Sequence, residues 1–147
     1  MPSTTPSRLF AALALAGALA LPNTATAGDT ARAAALADGA QKLTPDQIAD
    51  QFVGRTGTWV AASGDKTVEV YYGADNDLHG NLVGGGWTGN GLYGVASDGR
   101  ICISWDGPDD GRLRCLDVLL VDGTVVKYNP DGSRNGHYTA FTNGKAF

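Results

Sequence analysis

From about residue 55 onward, apolar and β-branched residues recur in short runs separated by Gly, Asp and Asn. This is the pattern of β-strands joined by tight turns. It predicts eight strands, at 58–62, 66–72, 78–83, 87–96, 100–105, 112–121, 124–128 and 137–142. The joints between them fall at 63–65, 75–77, 84–86, Asp98-Gly99, 107–111, Asp122-Gly123 and 129–135. A run of short strands so joined is an up-and-down meander.

Turn chemistry predicts part of the register. Asp98-Gly99 suits a two-residue type I′ hairpin, because these residue types tolerate positive φ. With Pro108 and Asp109 at the centre of the following turn, residues whose numbers sum to 217 oppose one another. Cys102 then faces Cys115, and Arg100 faces Asp117, two compatible cross-strand pairs from one register.

The same turns sort the central side chains onto two faces. Leu92, Ala96, Ile101, Ile103, Trp105, Leu116, Val118, Leu120 and Val125 share one; Trp87, Tyr93, Val95, Cys102, Leu113, Cys115, Leu119, Val121 and Val126 share the other. Both faces are substantially apolar, so both need cover. The expected fold is therefore mainly β, an eight-stranded antiparallel meander curled into a small barrel, with a short helix against part of its outer face. Ile103 opposite Arg114 interrupts the apolar inner face. Either a bulge after Cys115 resets the alternation, or Arg112 and Arg114 stand at an open mouth beside Trp105. Glycines at 80, 84, 85, 86, 89, 91 and 94 permit the coiling that closure requires.

One helix is predicted, at 44–53. Thr44 is a good N-cap, Pro45 fits the first helical position and Gln47 completes a capping box, with Leu43 and Ile48 as a hydrophobic staple and Gly54 as the stop. Ile48 and Phe52 share a narrow apolar side that serves as a cover or plug. Residues 28–42 are Ala-rich with little to bury, and read as a flexible lead with at most a turn or two of helix.

At the N-terminus, Arg8 precedes an apolar run of 13 residues, 9–21, and the segment ends Ala25-Thr26-Ala27. That is the layout of a signal peptide over 1–27, too short to span a bilayer comfortably. Cleavage before Gly28 would leave one domain-sized chain, with 43–147 as a single barrel-like domain, periplasmic or secreted and not membrane-bound. Losing Arg8 leaves ten basic against fifteen acidic residues, a net charge of −5, which argues against nucleic acid as a partner. Fourteen of the fifteen acids are Asp, in keeping with a turn-rich β domain. Export also favours a disulfide between the two cysteines.

Other motifs fail on context. Residues 89–94 match G-x-G-x-x-G, but inside a strand pattern where a dinucleotide fingerprint needs a helix to follow. Asp75, Asp77 and Gly80 have calcium-loop spacing, yet Gly86 stands where a bidentate Glu is required. Asp106, Asp109 and Asp110 read as a solvated turn. His79 and His137 have no clustered partner, and Glu69 has no spaced carboxylate to make a hydrolytic pair. No catalytic residue, metal set or cofactor is expected, and the chain reads as a non-enzyme.

Several stretches together carry a resemblance: Leu43-Thr44-Pro45-Asp46-Gln47-Ile48, Gly86-Trp87-Thr88-Gly89-Asn90-Gly91, Ile101-Cys102-Ile103-Ser104-Trp105, and Arg114-Cys115 followed by a strand, a turn and Tyr128. They resemble an exported proteobacterial family classed as domain of unknown function 995, with Tyr93 where that pattern leads one to expect a second Trp. The resemblance implies a fold and an export route. Gly57-Thr58-Trp59 is also similar to the Gly-x-Trp opening of lipocalins, which implies a cavity for a small apolar ligand. The expected ligand site is Trp105, Arg112, Arg114, Ile103 and Leu92, taking a small apolar or anionic molecule. The other reading is a periplasmic protein-interaction domain, such as an inhibitor of a cell-wall hydrolase, working through loop 107–111.

Overall fold

The computed structural model of the protein describes residues 30–147; the expected signal segment, 1–27, lies outside them. Eight strands form the barrel, and each is where the pattern places it to within a few residues at its ends. A ninth, β1 (Gln41–Lys42), precedes them and pairs with Leu120 and Leu119. The barrel strands are β2 (Arg55–Ala61), β3 (Thr67–Tyr72), β4 (Asp77–Leu82), β5 (Thr88–Ala96), β6 (Arg100–Trp105), β7 (Arg114–Val121), β8 (Thr124–Tyr128) and β9 (Arg134–Asn143). Each pairs antiparallel with the next, and β9 returns to pair with β2, closing the barrel. Closure leaves no unpaired sheet edge.

The 217 register is realised: Cys102 lies opposite Cys115, where a disulfide joins them, and Arg100 lies opposite Asp117. The turn before it differs from expectation. Ala96 pairs with Arg100, so residues 97–99 form a three-residue loop in which Gly99 alone has positive φ, at 76°. Asp-Gly fits such a loop as well as a two-residue turn; the type I′ pattern appears instead at Asp122-Gly123, both with positive φ, between the paired Val121 and Thr124. A one-residue change of register sends a whole strand to the opposite face. Tyr93 and Trp87 therefore point inward, and Leu92, expected inside, stands outside and 64% exposed.

The helices also divide their work differently from expectation. Helix α2 (Pro45–Phe52) has the capping box intact, Thr44 Oγ1 accepting from Gln47 N and Gln47 Oε1 from Thr44 N. Rather than lying on the outer face, it plugs one end of the barrel. Ile48 and Phe52 are fully buried, and Phe52 meets the edges or faces of Tyr72, Tyr138 and Phe141 at 4.9, 5.2 and 5.3 Å between ring centres. Leu43, Leu78, Tyr93, Ile101, Leu116, Val118 and Val125 complete this plug-end core.

The outer cover comes from the segment read as a lead. Helix α1 (Ala31–Ala37), capped by Thr30, packs Ala35 against Leu119, Val126 and Tyr128 on the outside of β7 and β8. Asp117 on that face holds it down, bonded to Arg32 and, at 2.9 Å, to Lys42. Burial pushes the Asp117 carboxyl up, but the hydrogen bonds from Lys42 and Arg32 outweigh it and hold the group below its ordinary range.

Candidate functional site

The plug closes one end of the barrel. Loops 73–76, 97–99 and 122–123 gather at the α2 end; loops 62–66, 83–87, 106–113 and 129–133 gather at the other, where the interior is open. The opening leads to a cavity of about 280 Å³. Trp59, Trp87 and Trp105, all three tryptophans of the chain, line it, above Val68, Val70 and Ile103. Lys66, Arg114, Lys127 and Asn135 supply its polar groups, and no carboxylate is among the lining residues in the described part of the chain.

Strand alternation explains this lining. Inward positions on β4, β5 and β9 carry Gly80, Gly89 and Gly136, whose missing side chains leave space for the indoles. A methyl at Gly80 would sit 2.7 Å from Trp87 and 2.9 Å from Trp105; one at Gly136 would sit 2.4 Å from Trp59 Nε1. Trp87 and Trp105 meet edge to face, 5.4 Å apart. The Trp59 indole N–H is buried among the rings with no hydrogen-bond partner among the described residues. Such a donor costs stability.

The cations come from the same alternation. Ile103 faces Arg114 across β6 and β7 with no break in register, so there is no bulge after Cys115, and of the two arginines expected at an open mouth Arg114 lines the cavity. Val118 faces Lys127 across β7 and β8, which puts a lysine inside the barrel with only 3% of its surface exposed. Its ammonium lies 5.4 Å from the Trp59 ring centre and 5.1 Å from that of Tyr138. Burial, and then the charge of Arg114, push the Lys127 amine down to about 7.

Of the expected site residues, Trp105, Ile103 and Arg114 meet in this cavity. Arg112 is exposed and is not part of its lining, because it lies in the 106–113 loop before β7 begins. Leu92 is on the outside for the reason given by its turn. Trp59 and Trp87, which as aromatic residues also read as candidates for a cavity lining, join those three in the cavity, as do Lys66 and Lys127, which lay outside the expected set. Lys127 was within reach of simple alternation, since Val125 two residues earlier was assigned inward; the slipped turn assigned Trp87 to the opposite face.

The fold and site define a closed antiparallel barrel with one plugged end and one aromatic, cationic cup. Compared with protein-family models, with curated proteins and with solved structures, the chain matches none.

Proposed function

We propose that this protein is a non-enzymatic, lipocalin-like binding module, exported to the periplasm or beyond, whose cup takes a small molecule with a flat apolar body and an acid group. The observation that carries this is the meeting of three indoles with Arg114, Lys127 and Lys66 in one cavity. Indole faces favour planar apolar groups, and a partly desolvated arginine favours a carboxylate or phosphate over water. The disulfide supports export, since such bonds persist in oxidising compartments. The likenesses to lipocalins and to the exported family belong to the same proposal.

A tryptophan fluorescence titration with fatty acids and aromatic acids tests it. Aromatic acids should quench emission and raise the melting temperature. Arg114→Ala should weaken acids by about tenfold more than neutral molecules of the same shape, the loss expected for a charge-assisted hydrogen bond. If no acid changes either emission or melting, the cup reading fails and protein interaction through loop 107–111 becomes the better one.

A further inference from the structure

Lys127 is the most deeply buried cation of the cup, and its surroundings are unusual for a lysine. On β9 it faces Tyr138, whose hydroxyl is paired with that of Tyr72; on β2 it faces Trp59; on β7 the charged group nearest in influence is Arg114, of the same sign. Lys66 stands in the cavity lining as a further cation. A buried ammonium among rings and like charges sheds its proton readily, and a neutral amine in a dry pocket is a nucleophile toward carbonyl carbon. The other lysines lack this setting: Lys42 is paired with Asp117, and Lys66 and Lys145 are exposed.

We propose that the cup captures carbonyl compounds that carry an acid group, aldehydes above all, as an imine on Lys127 Nζ. This rests on the binding reading above and adds a covalent step to it. The amine lone pair attacks the carbonyl carbon, forming the C–N bond while the carbonyl π pair moves to oxygen. One proton passes from nitrogen to that oxygen, giving a carbinolamine. The hydroxyl then takes a proton from solvent and leaves as water, while nitrogen returns its remaining proton to solvent and the C=N bond forms. One aldehyde and one amine thus give one imine and one water, with no oxidant or reductant. Arg114, whose charge reaches Lys127, is placed to hold the acid group, and the three indoles limit the water that would reverse the step.

The test uses para-carboxybenzaldehyde with cyanoborohydride near neutral pH, followed by intact mass and peptide mapping. The expected result is a single fast adduct, heavier by one aldehyde less one oxygen atom, mapped to Lys127. Its formation should outpace that at Lys145 by at least about tenfold. The aldehyde-free analogue para-toluate should suppress it, and Lys127→Arg should abolish it; the mapping on the natural protein stands even if that variant folds poorly. Adducts formed at Lys127 no faster than at Lys42, Lys66 and Lys145, or not suppressed by para-toluate, would overturn the proposal. Should para-toluate quench tryptophan emission while Lys127 stays unlabelled, the imine alone is rejected. Should neither occur, the binding reading falls with it.

Discussion

Lys127 and Trp59 face each other inside the barrel, the ammonium 5.4 Å from the ring centre. The pairing offsets part of the cost of taking the charge out of water, since an indole face attracts a cation. The remainder of that cost should be visible in stability.

The Lys127 amine titrates near 7 in the folded protein and at its ordinary 10.5 when unfolded. Between these values the unfolded chain holds a proton that the folded one has released. Stability should therefore rise with pH from about neutrality toward 10, while below neutrality the full cost of the buried charge is present. Lys127→Met, close in volume, should flatten that rise and stabilise the protein below neutrality by about 1–4 kcal/mol. Urea denaturation across pH for both proteins measures it, and parallel profiles would show that Lys127 stays charged throughout.

Asp117 ties α1 to the barrel wall through Arg32 and Lys42. Asp117→Ala should cost about 1–3 kcal/mol and leave two cations without their common partner. Because the folded carboxyl titrates below its ordinary value, its contribution is present above that value and fades as pH falls through the folded one. Limited proteolysis should cut the variant within residues 30–40 at conditions that spare the natural protein; equal resistance would mean that α1 is held by its apolar face alone.

Two glycines separate site from scaffold. At Gly80 the atoms nearest an added methyl are the tips of the Trp87 and Trp105 rings, which border a cavity into which they can shift. Gly80→Ala should cost about 1 kcal/mol, shift tryptophan emission and weaken acid binding. At Gly91 the methyl would lie 2.1 Å from Ser104 O and 3.0 Å from Trp105 Cα, backbone atoms of β6 that have nowhere to go. Gly91→Ala should cost about 3 kcal/mol. Melting curves with emission spectra distinguish the two, and similar losses would contradict the placement of the cavity.

The three-residue turn at 97–99 makes neighbouring residues respond oppositely to charge. Leu92→Lys should change stability by no more than about 0.5 kcal/mol, because the side chain is already in solvent. Tyr93→Lys should prevent folding, as it would place a lysine in the plug-end core and remove the bond from Tyr93 Oη to Gly73 O, 2.7 Å. Expression and melting of the two variants decide it, and the reverse order would restore the two-residue turn.

Local chemistry determined much of this molecule. The eight barrel strands, the α2 capping box and the Cys102–Cys115 register follow from residues near one another in sequence, where turn types, caps and alternation act. Ile103 opposite Arg114 left two readings open, a bulge or a charged mouth beside Trp105, and the unbroken register of the folded sheet decides against the bulge. Three things needed the closed barrel. Asp98-Gly99 is compatible with two loop lengths of similar cost, and only burial of Tyr93 against Tyr72, 5.1 Å between rings, selects the longer. The Ala-rich stretch after residue 28 has little to bury, so α1 and its hold on Asp117 depend on a wall that exists only after folding. The cup itself brings Trp59, Trp87, Trp105 and Lys127 together from four parts of the chain. Alternation tells which way a side chain points, whereas closure alone decides which of those side chains share one interior.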